Sequence, residues 1–146
     1  MIVVDTSVFV DLFFEYDRNR TRLAEQFFEN VNDAPLFEPE LFKIELISQL
    51  VRRMKKDEAI LTAESTFKVL NFIETQELFE LAFLIALETG CKAADSFYIA
   101  TAKVTDSILV SNDKFQVKNA RDFGIPAFYL LEGEKVIDEI TELLGR

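Results

Sequence analysis

Short apolar runs alternate with helical patterns along most of this chain. The runs predicted to be strands are brief and continuously apolar, which is typical of buried parallel strands. They occupy residues 2–5, 34–37, 71–74, 107–110 and 127–130. Strands that alternate with helices indicate a parallel sheet covered on both faces, so the pattern predicts an α/β fold.

The helices between these strands are predicted from apolar residues at helical spacing and from start and stop signals. The predicted ranges are 7–15, 20–31, 39–55, 58–70, 76–88, 95–104, 114–123 and 132–144. Pro39 suits the first turn of the third helix, because a proline there loses no hydrogen bond. Gly90 suits the residue just after the fifth helix, where a left-handed conformation is common. No repeat or linker interrupts the pattern, so we expect one domain over residues 1–146.

The composition suits a globular protein and rules out several kinds of active site. Apolar residues make up 49% of the 146 residues, which is enough for a core. The chain has no histidine, which excludes a Ser-His-Asp triad, a Cys-His nucleophile and a zinc deaminase. The one cysteine, Cys91, cannot form an internal disulfide and is interpreted as a small buried hydrophobe. Any catalysis must therefore use carboxylates, Lys or Arg, hydroxyls or a metal ion.

The formal net charge of −10 argues against a protein that coats nucleic acid by charge alone. It is compatible with a metal-dependent nuclease, because bound cations reverse the local charge, and with a basic protein partner. The basic cluster at residues 52–56 is interpreted as a solvated helix C-terminus. No apolar run is long enough to span a membrane, and the N-terminus has no signal-peptide pattern. We therefore expect a cytoplasmic protein with no membrane partner.

Two aspartates follow predicted strands. Asp5 comes directly after the first strand, and Asp113 follows the strand at 107–110. In open α/β sheets, ligands bind beyond the carboxyl ends of the strands, so parallel strands would put both acids on one rim. Each acid is also well placed to cap the helix that follows it, and the pattern leaves both interpretations open.

Two further acids lie in predicted helices. Asp95 is in the first turn of its helix, where acids are common because they meet free N–H groups. Its small and apolar neighbours raise the chance that the carboxylate is partly buried and needs a partner. Glu45 falls on the polar side of the third helix, so its placement alone indicates a solvated surface glutamate. Glu38 and Glu40 lie nearby and compete for any ligand role.

Several polar groups lie next to these acids. Thr6, Ser7 and Ser111 are placed to orient the carboxylates or to carry metal-bound waters, although capping alone also explains Thr6 and Ser7. A site built only from carboxylates favours a hard ion, Mg²⁺ or Mn²⁺, over zinc.

Four segments carry the candidate acids in a fixed order along the chain. They are residues 3–8, 39–52, 94–100 and 109–115. Together they resemble the motifs of the PIN-domain ribonucleases, most closely the small VapC-type toxins of toxin–antitoxin pairs. The likeness covers nearly the whole chain. Asn112 is at a variable position of the fourth motif, so we assign it no catalytic role.

The resemblance implies a three-layer α/β/α sandwich with a short-stranded, mainly parallel sheet. It implies that Asp5, Glu45, Asp95 and Asp113 are the catalytic acids and hold one or two Mg²⁺ or Mn²⁺ ions. Asp5, Asp95 and Asp113 are the better ligand candidates, and Glu45 is either a ligand or a base that positions water. Only the family likeness raises Glu45 above a surface residue.

The resemblance further implies a metal-dependent endoribonuclease that hydrolyses RNA, acts as a toxin, binds a cognate antitoxin and forms a homodimer. Two alternatives stay open. One is an RNA-processing PIN nuclease without an antitoxin, and the other is a non-enzymatic acidic binding domain whose acids are helix caps. The chain also has 15 phenylalanines, most of which we assign to the core, and the two aromatic N-terminal helices leave room for an apolar groove that binds a partner.

Overall fold

The computed structural model describes residues 1–145, which form a five-stranded sheet of order β3-β2-β1-β4-β5. The strands are β1 Ile2–Val4, β2 Leu36–Pro39, β3 Asn71–Ile73, β4 Ile108–Ser111 and β5 Ala127–Tyr129. All neighbouring strands pair in parallel, and helices flank the sheet. The predicted α/β fold with a short-stranded parallel sheet is confirmed. The predicted domain also includes Arg146, which lies outside the described residues.

The helices connect successive strands, except for the last one, which follows β5, and they keep the predicted order. They are α1 Thr6–Phe13, α2 Arg18–Asn30, α3 Leu41–Val51, α4 Lys56–Phe67, α5 Thr75–Thr89, α6 Ala93–Thr105, α7 Lys114–Asp122 and α8 Glu134–Leu143. Helix α2 begins two residues earlier than predicted, because the Asp17 side chain accepts hydrogen bonds from the backbone of Asn19 and Arg20. In the part of the chain that the structure describes, no helix is long and apolar enough to cross a membrane.

Pro39 ends strand β2, so the prediction that it begins a helix is wrong. It aligns with Ile73 of β3, and α3 starts at Leu41. On the other side of β2, the register with β1 extends only to Phe37. Proline has no N–H to give to a sheet, so it is tolerated at the end of a strand as well as at the start of a helix.

The core surrounds the central strand β1, whose three residues are fully buried. Helix α6 lies against β1, β2 and β4, and helix α7 lies against β4 and β5. Phenylalanines fill much of the space between helices, as predicted. The Phe9 and Phe42 rings, for example, are 5.1 Å apart in an edge-to-face arrangement, and both are buried.

Candidate active site

Asp5 and Asp113 lie at the same end of the sheet. Strands β1 and β4 are parallel neighbours with Val4 aligned to Val110, and the Asp5 N–H donates to the Val110 carbonyl at 2.9 Å. Both acids are also helix caps. Asp5 accepts from the Ser7 N–H at 3.0 Å, and Asp113 accepts from the Phe115 N–H at 2.9 Å. The capping interpretation therefore holds for both acids, and it is compatible with their place on one rim.

Asp95 is half-buried in the first turn of α6, and the other three acids affect the pKa of its carboxylate. Its pKa is raised to about 6, mainly by burial and then by the negative charges of Asp5, Asp113 and Glu45, while Lys92 opposes the shift. The pKa of Asp5 is also raised, mainly by burial. The structure thus brings the four predicted acids into one electrostatically coupled cluster.

Glu45 is half-buried, unlike the surface residue that its helix position indicated. Its Oε1 accepts hydrogen bonds from the Tyr98 hydroxyl at 2.5 Å and the Thr6 hydroxyl at 3.1 Å. Those two hydroxyl oxygens are 2.6 Å apart, so the three groups form a small network. Burial raises the pKa of Glu45, and the hydrogen bond from Tyr98 opposes that shift. The part of α3 that carries Glu45 therefore faces the acids instead of bulk solvent.

The three polar residues predicted to support the acids all contact the site. Thr6 bonds to Glu45, as described above. Ser7 donates its N–H to Asp5, and its hydroxyl accepts from the Asn112 N–H at 3.1 Å. Ser111 is fully buried, and its hydroxyl accepts from the Asp113 N–H at 2.9 Å. These bonds fix the backbone on which Asp5 and Asp113 stand.

Sequence reasoning missed two residues that hold the acids. Tyr98 binds Glu45, and the fully buried Gln116 donates its Nε2 to Asp5 at 3.3 Å. Each lies three residues after a predicted acid, Tyr98 after Asp95 and Gln116 after Asp113. Residues three apart share a helix face, and that spacing was the available signal.

Of the two competing glutamates, Glu38 is affected by the charges of the predicted acids Asp5 and Glu45. It is fully buried, and neither carboxyl oxygen has a hydrogen-bond partner among the described residues. Its pKa is raised well above the usual range, mainly by burial and then by the charge of Asp5, with a smaller effect of Glu45. Glu40 instead accepts from the Thr75 N–H at 2.8 Å at the start of α5.

A cavity of about 380 Å³ opens beside Asp5 and Glu45. Ser48 and Gln49 of α3 line one part of it, and Asp11 and Arg20 line another. Its volume is in the range of small-molecule sites, roughly 300–1,000 Å³. The cavity gives a ligand access to two of the four acids.

The donor set of the cluster fits a hard divalent cation, because its four acids offer carboxylate oxygens. The Asp95 carboxylate has no hydrogen-bond partner within residues 1–145, and Asp113 engages only one of its two carboxylate oxygens. Within those residues, however, no group of three or more acids is positioned to coordinate an ion in its present side-chain conformations. Ion binding would therefore require these carboxylates to turn towards one another.

Solved structures share this fold, and three of them illustrate the likeness. PAE2754 from Pyrobaculum aerophilum has a TM-score of 0.65 at 16% identity, over 99% of this chain and 89% of that one. VapC20 from Mycobacterium tuberculosis, a sarcin–ricin loop cleaving toxin, has a TM-score of 0.64 at 19% identity, over 81% and 95%. A toxin–antitoxin complex from Klebsiella pneumoniae has a TM-score of 0.61 at 19% identity, over 77% and 87%. At these identities the likeness shows a common fold.

Sequence comparisons assign the chain to a family. No curated protein matches the whole sequence significantly. The family model for the PIN domain matches residues 2–121, which is most of the chain and includes all four candidate acids. The parallel sheet, the acids at its rim and this match agree, and the protein belongs to the PIN domain family.

Proposed function

We propose that this protein is a metal-dependent endoribonuclease that hydrolyses RNA phosphodiester bonds. The observation that carries the proposal is the cluster of four acids at one end of a PIN-domain sheet, in which burial and then the charges of the other three acids raise the pKa of Asp95. Such clustering costs stability unless a cation offsets the repulsion, and PIN nucleases generally use divalent metal ions. The chain has no histidine that would offer another route to hydrolysis.

Asp5, Asp95 and Asp113 would hold one or two Mg²⁺ or Mn²⁺ ions. The bound ion supplies positive charge to the scissile phosphate and increases the acidity of the attacking water. Ser7 and Gln116 each hold one oxygen of Asp5 and so limit its rotation. Asp95 has no such contact among the described residues, so it has the most freedom to turn towards a ligand.

Glu45 is proposed to orient the attacking water and to accept its proton. Tyr98 and Thr6 hold Oε1, which leaves Oε2 for the water. Burial raises the pKa of Glu45, and a carboxylate with a raised pKa is a better base near neutral pH. Glu45 also remains a candidate ligand.

The test is cleavage of structured and single-stranded RNAs with Mg²⁺ or Mn²⁺, with EDTA as the metal-free control. We expect Asp5→Asn to abolish cleavage and Glu45→Gln to slow it about 100-fold or more. Asp138→Asn is the matched control, because it removes one exposed carboxylate from α8. Cleavage by Asp5→Asn at the parent rate would show that the catalytic assignment is wrong.

A cognate antitoxin is the proposed protein partner. A structural neighbour is a toxin–antitoxin complex, and an apolar groove lies between α3 and α4 of this chain. Ile44 and Ile60 line the groove with 71% and 47% of their surface exposed, as suits an amphipathic helix from a partner. Basic residues in that partner would complement the net charge of −10.

A toxin and an RNA-processing nuclease would use the same catalytic acids. The order of the neighbouring genes distinguishes the two. A short reading frame directly upstream that encodes a DNA-binding protein supports the toxin. Its absence favours the nuclease without an antitoxin.

A homodimer is also proposed, through an exposed apolar face of α5. Phe79, Phe83 and Leu87 recur every four residues on that helix and are 59%, 67% and 72% exposed. Exposed apolar patches of this kind usually mark interaction surfaces.

A further inference from the structure

The cavity beside the acids contains a cation. Arg20, near the start of α2, lines the same cavity as Asp5 and Glu45, and 41% of its side chain is exposed. It is the one Lys or Arg among the described residues that line this cavity. The chain has a net charge of −10, and this positive charge lies in the same cavity as Asp5 and Glu45.

Arg20 is held in place by a buried carboxylate. Its Nε donates to both oxygens of Asp11, at 3.0 and 3.1 Å, and Asp11 is only 4% exposed. Asn112 holds the same carboxylate, with its Nδ2 donating to Asp11 at 2.6 Å. The Thr21 hydroxyl also donates to the Asp11 carbonyl, at 2.7 Å. The guanidinium is therefore anchored at the base of the cavity wall, and Asn112 connects its anchor to the loop that carries Asp113.

The other end of the guanidinium is free to bind a ligand. Arginine has five N–H donors, and Asp11 uses only the one on Nε. The two Nη groups of Arg20 have no hydrogen bond within residues 1–145. Elsewhere, Arg22 uses both of its Nη groups, on Glu134 and Asn19, and Arg53 bonds to Gln49. Arg20 thus combines a fixed position with four available donors.

A phosphate group matches these donors. Guanidinium Nη groups bind phosphate in a planar, paired arrangement that is stronger than a neutral hydrogen bond. An RNA strand that approaches the acids is repelled by their charge, and a cation in the same cavity offsets that repulsion. We infer that Arg20 binds a phosphate of the RNA backbone that neighbours the scissile one, which assumes the proposed nuclease function. Asn112 and Asp11 then act as positioning residues for Arg20.

The first experiment measures RNA affinity without cleavage. A fluorescently labelled single-stranded RNA of mixed sequence is titrated with Asp5→Asn protein in Mg²⁺, with and without Arg20→Gln. We expect Arg20→Gln to weaken binding about tenfold, as loss of a charge-assisted hydrogen bond predicts. The slope of log affinity against log salt should also become shallower by about 0.7, which is the change expected for one phosphate contact. Arg20→Lys should keep the salt slope but lose part of the affinity.

Arg18→Gln is the matched control. Arg18 begins the same helix, its side chain is 94% exposed, and it does not line the cavity. Its replacement removes the same charge and should leave affinity and salt slope nearly unchanged. In the cleaving protein, Arg20→Gln should raise KM and leave kcat unchanged, because the contact is made equally in the ground and transition states.

A double variant controls for folding, because Arg20→Gln alone leaves Asp11 buried without its partner. Asp11→Asn/Arg20→Gln removes that charge and keeps an acceptor for Asn112. Suppose that the parent cleaves RNA, and that Arg20→Gln and the double variant both fold and match the parent in KM and salt slope. The inference is then wrong, and the proposed function stands. If the parent neither binds nor cleaves RNA in Mg²⁺ or Mn²⁺, both fail.

Discussion

Glu38 is an acid that the protein buries beneath its candidate site. Both carboxyl oxygens lack a hydrogen-bond partner among the described residues, and burial raises the pKa well above its usual range. The Val4 N–H partly opposes that shift in pKa, although it is not placed to donate a hydrogen bond to either carboxyl oxygen of Glu38. A charged form at this position is costly, so the protein favours the neutral acid.

Replacing Glu38 with glutamine should stabilise the protein in a pH-dependent way. The pKa of Glu38 is higher in the folded state than in the unfolded state. Its contribution to the free energy of unfolding is therefore fully present below the unfolded-state pKa, and it is lost as the pH rises through the folded-state pKa. Glutamine cannot ionise, so Glu38→Gln should raise the free energy of unfolding by about 1 kcal/mol or more near pH 8 and have little effect near pH 4. Urea unfolding at both pH values measures this.

Glu40→Gln is the matched control, because it keeps an acceptor for the Thr75 N–H and lies at the protein surface. An equal effect of Glu38→Gln at both pH values would contradict ionisation as the cause.

Sequence reasoning at the level of single residues worked best for acids next to strands. Asp5 and Asp113 follow apolar strands, and strand ends are predictable from local pattern. For Glu45, the helix position alone indicates a surface residue, because it shows only which side of the helix is polar, and only the family likeness makes Glu45 a catalytic candidate. That side faces the cavity, and only the packing of α3 near Tyr98 and Thr6 decides this.

Helix α5 illustrates the same limit at the level of an element. Its apolar residues point both inwards and outwards, since Leu78, Ala82 and Ile85 are buried while Phe79 and Phe83 are exposed. The sequence predicts the helix from its length and from Gly90 at its end, where φ is +70°. It does not distinguish a buried helix from one that pairs with another protein.

Phe83→Asp tests the proposed dimer surface. A charge in the centre of the exposed face of α5 should turn a dimer into a monomer, because a carboxylate cannot be buried in an apolar interface without a partner. Light scattering measures the molar mass of the parent and the variant. Leu143→Asp is the control, since Leu143 is 57% exposed and lies on α8. A parent that is already monomeric, or a variant that stays dimeric, would contradict the proposal.

Pro39 shows why boundaries between elements are harder to predict than the elements. A proline fits both the end of a strand and the first turn of a helix, because neither position needs its N–H. The alignment of Pro39 with Ile73 selects the strand, and Ile73 is 34 residues away in the sequence. Local pattern carries no information about that neighbour.

The whole molecule carries a net charge of −10 and gathers four acids at one end of its sheet. Millimolar Mg²⁺ or Mn²⁺ should therefore raise the melting temperature beyond a control of equal ionic strength. The expected gain is about 2.7 kcal/mol at a free ion concentration 100 times the Kd. It should be smaller near pH 5, because Asp95 has a pKa of about 6 and its protonated form binds cations poorly.

Asp5→Asn should lose most of this stabilisation, and Asp138→Asn should keep it. If the parent gains nothing over the salt control, the non-enzymatic acidic domain becomes the better interpretation. Thermal unfolding followed by circular dichroism distinguishes the two outcomes.

Local sequence patterns predict the alternation of strands and helices, the parallel sheet, and the two aspartates at strand ends. The absence of histidine also limits any catalysis to carboxylates, Lys or Arg, hydroxyls or a metal ion. The tertiary structure decided which distant residues meet. Thr6 contacts Glu45 and Tyr98, which are 39 and 92 residues away, and Asn112 contacts Asp11 across 101 residues. Local patterns encode periodicity and caps, whereas these contacts depend on the strand order that places β1 between β2 and β4.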